Sequence, residues 1–178
     1  EQIVTSAQAV LQLAAEEVPA GAKLLIIGAD SLRDLARDMG FKVVSSADDK
    51  PAAVVQGFDR SVGWEHLTEG ALAIRQGAKF FASNLDTSLP MERGLAVGNG
   101  SLVAAIQSAT GVEPVSAGKP EPAMFTFAAK QIGARKPLAV GDRLDTDIAG
   151  GNSAAMDTFH VLTGCLLYTS PSPRDRQK

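Results

Sequence analysis

Three short apolar runs, "KLLIIG" (23–28), "AAVVQG" (52–57) and "AKFFASN" (78–84), are separated by stretches of helical periodicity. This alternation constrains the fold more than any other feature of the chain. Apolar runs of this length, bounded by turn residues, read as buried strands. "DSLRDLARDMG" fills the first gap as a helix opened by Asp30 or Ser31 and closed by Gly40, and Trp64 to Gln76 fills the second. Strands that alternate with helices form βαβ units, so the expected fold is α/β with a parallel sheet. Ahead of the first strand, Ser6 to Val18 has helical spacing, with Ser6 as N-cap and "AAEEVPAG" as the stop.

"LPMERGLAVGNGS" is rich in turn formers and marks an expected boundary near Arg93. Beyond it, Ser101 to Thr110 and Pro122 to Ile132 read as helices, with Pro122 suited to a first turn. "PLAVGD" (137–142) reads as a strand, Thr146 to Met156 as a helix and "DTFHVLTG" (157–164) as a final strand. Two α/β modules follow, residues 1–93 and 94–164. The remainder, 165–178, "CLLYTSPSPRDRQK", has no periodicity and resembles the translated read-through of a sequencing-library adaptor, so it is expected to be a non-native tail. It holds the only cysteine, Cys165, and the only tyrosine, Tyr168. A cysteine-free body excludes disulfides, thiolate zinc sites and cysteine nucleophiles.

Apolar content of 45% and charged content of 21% are those of a globular protein. A net charge of -3 offers nucleic acid or an anionic membrane no electrostatic attraction. No apolar run approaches the length that crosses a bilayer. The expectation is a soluble, cytoplasmic protein with neither partner.

"LAVGDRLDTDIAGG" (138–151) sets three carboxylates within six residues, just past a strand. Open α/β sheets bind ligands at the carboxyl ends of their strands, where Asp142 should sit. Gly141 would leave room there for a ligand, and Asp147 can turn back toward Asp142. Two carboxylates at a strand end suit Mg²⁺, which takes few protein carboxylates and keeps waters. The competing reading makes Asp145, Thr146 and Asp147 a helix cap. In "AGKPEPAMF" (117–125), Pro120 biases Lys119 toward extended backbone and the following helix offers free N–H groups. A cation beside a helix start suits phosphate, although a lone surface lysine is the commoner case.

"GKPEP" (118–122) followed by "VGDRLDTDIAGG" (140–151) resembles motifs III and IV of the haloacid dehalogenase (HAD) superfamily phosphatases. "VVQGFDR", "FFASNLDTSLP", "GNGSLVAAIQSATG" and "DTFHVLTG" are similar to the class IIA branch, the NagD and nitrophenylphosphatase group. The resemblance spans residues 4–164. It implies a C2-type α/β cap over residues 1–93, joined to the C-terminal half of a Rossmann-like HAD core over 94–164. Lys119 would hold the substrate phosphate, and Asp142 and Asp147 would hold Mg²⁺, Asp147 directly or through water. The loop "SNLDTS" (83–88) would overhang the active site, with Asn84, Asp86 and Thr87 contacting a small phosphorylated metabolite; an Asx-turn is the plainer reading of this loop. Pairing of two chains through the cap is a further implication.

The family's chemistry needs a nucleophilic aspartate at a strand end and a second aspartate two residues later, in D-x-D-G-T. The one D-x-D here, Asp145-Thr146-Asp147, lies past the strand end and is followed by "IAGG", so it is rejected. Asp30 and Asp59 follow strands without such a partner. The expectation is therefore an N-terminally truncated phosphatase, inactive as it stands, with an unpaired apolar edge at "PLAVGD". The alternative is a non-catalytic nucleotide- or phosphate-binding module, or a receiver-like regulator; neither G-x-G-x-x-G nor G-x-x-x-x-G-K-[ST] is present to support nucleotide binding. His160 is expected to be packed and His66 to lie at the surface.

Overall fold

In the computed structural model, residues 3–162 are described. The tail read in Cys165–Lys178, and the end of the final strand at Thr163 and Gly164, lie outside the described residues. The chain forms two compact units, one ending at Gly118 and the other beginning at Lys119.

The first unit runs α1 (Ser6–Glu17), β1 (Lys23–Ile27), α2 (Asp30–Asp38), β2 (Lys42–Val44), a 3-10 turn, β3 (Ala53–Gln56), α3 (Trp64–Arg75) and β4 (Lys79–Ala82). It continues through β5 (Ser88–Met91), β6 (Gly94–Val97), α4 (Asn99–Thr110) and β7 (Val115–Ser116). Five parallel strands form one sheet in the order β2-β1-β3-β4-β7. α1 packs on β3, β4 and α2, whereas α3 packs on β1, β3 and α4, so the two helix pairs cover the sheet. β3 is buried at every position and β1 and β4 at all but the first, which is why their sequences read as unbroken apolar runs. On the α3–α4 side, Leu25, Ile27, Val54, Phe80 and Ala82 meet Ala73, Ile74, Val103 and Ile106.

Local chemistry moved some boundaries. Thr5, not Ser6, caps α1: its Oγ1 accepts from the Gln8 N–H while Gln8 Oε1 accepts from the Thr5 N–H. β2 went unread because it is three residues long and edge-placed. The turn-rich "LPMERGLAV" is an antiparallel hairpin, β5–β6, with Glu92 and Arg93 at its tip and Pro90 tolerated because each strand has one partner. The compact units divide at 118 rather than 93. β7 joins the first sheet beside β4, and Val103 and Ile106 of α4 are fully buried in its core.

The second unit comprises α5 (Ala123–Gln131), β8 (Leu138–Gly141), a π-helical turn (Leu144–Ile148), α6 (Ala149–Ser153) and β9 (Asp157–His160). β8 and β9 are parallel, with Gly141 opposite His160. The continuous helix expected from Thr146 to Met156 is instead the π turn and a five-residue α6, since "GGNS" is a poor helix former and Ala155 turns left-handed at φ 55°. Among the described residues β8 pairs only with β9, and Leu138, Val140 and Phe159 remain 57%, 57% and 58% exposed.

Candidate functional site

β8 carries the chain to Asp142, and the turn beyond it brings Asp147 back. The Ile148 N–H donates to the Arg143 carbonyl, an i to i−5 bond that widens the turn by one residue. Asp147 then folds over the strand end. Its Oδ2 accepts from the Arg143 N–H at 3.2 Å, and the Asp142 N–H also bonds to the carboxylate. Its Oδ1 meets Lys119 Nζ at 2.5 Å, across 28 residues of sequence. Asp147 is 14% exposed and Lys119 41%. Burial pushes the Asp147 pKa up, but the Lys119 bond and charge, with the two backbone donors, hold it below the ordinary carboxylate value.

Gly141 has a different role from the one expected. A Cβ there would lie 2.2 Å from Asp147 Cβ, so the space beside the strand end is filled by Asp147 rather than left for a ligand. His160, at the end of β9, is half-buried as expected, and its Nε2 lies 3.2 Å from the Asp142 carbonyl. Because a carbonyl only accepts, this bond requires the proton on Nε2. His66 is exposed, with Nδ1 accepting from the Gly63 N–H.

The three clustered carboxylates separate by partner. Asp145 takes a bidentate fork from Arg143, at 3.1 and 2.7 Å, which lowers its pKa. Arg143, at the N-cap of the turn, caps it with no side-chain bond of its own, whereas its N–H is taken by Asp147 Oδ2. The Lys119–Pro120 peptide is cis. The helix behind Lys119 starts at Ala123.

No cluster of three or more histidine, cysteine or acidic side chains suited to a metal occurs among the described residues. Two acidic side chains at the end of β8 and in the turn after it, Asp142 and Asp147, offer oxygen donors only. That is the donor type and carboxylate number from which Mg²⁺ is usually held. The residues fit the ion.

Asn84, Asp86 and Thr87 lie together after β4 in the first unit. Asn84 Oδ1 accepts from the Asp86 N–H at 3.3 Å, so the Asx-turn is present. The carbonyls of Asn84, Asp86 and Thr87 accept from the first turn of α4. Sequence reading missed this seat; its signal was the "GNGS" that follows β6.

The chain belongs to the HAD superfamily of hydrolases, in the NagD-like class IIA branch of phosphatases. Residues 116–172 match the HAD-hydrolase-like family model. The D-glycerol 3-phosphate phosphatase of Mycobacterium tuberculosis is 49% identical over 164 residues, 92% of this chain and 46% of the relative. A solved glycerol phosphate phosphatase from the same organism, in complex with magnesium, superposes with TM-score 0.87 at 47% identity, covering 94% of this chain and 53% of that one. A double-mutant thermostable NPPase from Geobacillus stearothermophilus gives 0.85 at 35% identity, covering 94% and 67%. This chain spans about half the length of the mycobacterial relatives.

Proposed function

We propose that the whole protein hydrolyses a small phosphomonoester with Mg²⁺, through an aspartyl-phosphate intermediate. The observation that carries this reading is the 2.5 Å bond between Lys119 and Asp147 beside Asp142, which joins the motif III lysine to the motif IV carboxylates. The first unit acts as the C2-type cap and the second as the motif III and IV part of the core. Lys119 keeps two N–H donors beyond the one given to Asp147, and these hold the substrate phosphate. Asp142 and Asp147 hold Mg²⁺, which when bound supplies positive charge that offsets the phosphoryl oxygens. Asp147 also fixes the Lys119 ammonium, and the His160 bond steadies the backbone of Asp142. Asn84, Asp86 and Thr87 take part in substrate choice, and a glycerol phosphate-sized metabolite is favoured by the 49% identity to the mycobacterial enzyme.

The nucleophile and the acid–base aspartate are not among these 178 residues, so the chain as given turns nothing over. The test is to extend the reading frame in the source DNA and assay the product. An upstream D-x-D-G-T, with Mg²⁺-dependent hydrolysis of 4-nitrophenyl phosphate that Asp142→Asn abolishes, supports the reading. Turnover by the 178-residue chain itself, or a start codon near Glu1 with no nucleophile, overturns it. The second outcome leaves a phosphate-binding module.

No helix among the described residues is long and apolar enough to cross a membrane. We place the protein in the cytoplasm on the acidic, cysteine-free body. Pairing through the cap is supported by the β5–β6 hairpin, where Leu95 and Val97 are 76% and 60% exposed. Sedimentation velocity at two concentrations tests it.

A further inference from the structure

The loop after β4 leans on the first turn of α4 with unusual closeness. A Cβ on Gly98 would lie 2.3 Å from the Asp86 carbonyl oxygen, and one on Gly100 would lie 2.1 Å from that of Leu85. Only glycine permits that approach at both positions. Four donors then reach the loop. Asn99 Nδ2 donates to the Asn84 carbonyl at 2.9 Å and the Gly100 N–H to that of Asp86 at 2.8 Å. The Gly98 N–H and Ser101 Oγ both donate to that of Thr87, at 3.0 and 2.8 Å.

Asn99 is 2% exposed, and its Oδ1 has no partner among the described residues. A buried amide with an orphan oxygen is unfavourable. An apolar side chain of similar size would fill the same space without that cost. What Asn99 alone supplies is the donor to Asn84.

We propose that "GNGS" (98–101) is a latch that holds the loop in a preformed shape, with Asn99 as its positioning residue. The inference rests on the reading that this loop takes part in substrate choice. The carbonyls of Asn84, Asp86 and Thr87 are spent on the "GNGS" segment, and the Asn84 amide on the Asx-turn and Ser83. What the loop offers outward is the exposed side chains of Leu85, Asp86 and Thr87. Selection then works by the fixed shape of these three groups rather than by closure of a mobile lid.

Amide hydrogen exchange on the 178-residue chain tests the latch without any need for turnover, so its failure is distinct from failure of the phosphatase reading. In the unaltered chain, the amides of Asp86, Gly98 and Gly100, whose N–H groups have acceptors in this seat, should exchange at least tenfold more slowly than in a free peptide. Asn99→Asp keeps the shape and removes the donor, and Gly100→Ala drives a methyl into the Leu85 carbonyl. Each should speed exchange at these sites at least tenfold and leave β1 and β3 unchanged. Ser101→Ala, which removes a single hydroxyl, should speed exchange at Gly98 alone, whose N–H shares the Thr87 carbonyl with it. The proposal is overturned by free-peptide rates in the unaltered loop, by an Asn99→Asp variant that exchanges like the parent, or by loss of protection spread evenly over the sheet.

Discussion

Ser61 controls the charge of Asp59, in the loop after β3. The Ser61 hydroxyl and N–H both donate to Asp59 Oδ1, at 2.5 and 2.7 Å, and hold its pKa below the ordinary value. A carboxyl whose folded pKa is depressed contributes stability above its unfolded pKa, about 3.9. That contribution is lost as the pH falls through the folded value. Ser61→Ala should therefore move the Asp59 midpoint upward in a carbon-detected NMR titration and flatten the loss of stability below pH 4. An unchanged midpoint would show that the hydroxyl is not its main donor. Ala155 makes a second local test. At φ 55° and exposed, it occupies a left-handed position just past α6. Ala155→Gly should stabilise the second unit by about 0.5–1 kcal/mol, measured by urea unfolding, the relief of strain exceeding the entropy that glycine adds to the unfolded chain.

Packing between elements sets the next limits. Gly70 lets α3 settle onto the sheet: a Cβ there would meet Ile27 Cδ1 at 2.6 Å and Ile106 Cδ1 at 3.2 Å. Gly70→Ala gains about 1 kcal/mol of helix propensity. Overpacking a closed core costs about 1–3 kcal/mol, so the net effect in urea should be destabilising. β8 is exposed for the opposite reason, having too few neighbours. Val140→Lys should reduce aggregation of the chain on heating, measured by light scattering, because it places charge on an apolar strand face. β1, β3 and β4 were legible because burial on both faces leaves an unbroken apolar run. β2 and the hairpin were not, since half-exposed edge strands keep polar residues and turn formers.

At the scale of the whole molecule, the position of the division decides what can be cut. Residues 1–118 expressed alone should unfold cooperatively, with the protection of β1 and β3 kept. Residues 1–93, the cap expected from sequence, lose α4 and β7 and with them the buried Val103 and Ile106. That piece should lack a cooperative transition, and two similar transitions would refute the division at 118. The two divisions differ for a physical reason: "LPMERG" has the composition of a linker, but a strand of the first sheet, β7, lies beyond it. The residues of the candidate site could be named from the sequence, and their roles stand as a proposal. Lys119, Asp142 and Asp147 were singled out from motif order, and the structure brings Lys119 and Asp147 into contact beside Asp142. That Asp147 would occupy the space above Gly141 was not legible, since the close approach depends on the widened turn.

That turn carries one residue more than an α-helical turn would between Arg143 and Ile148. A single deletion there closes the register and swings every later side chain about 100° around the helix axis. Asp147 would then leave the strand end, and Thr146 or Ile148 would face it. Length variation between Arg143 and Ile148 is therefore not neutral spacing: when such sequences are aligned, a one-residue gap in this stretch reassigns which side chain can hold the lysine.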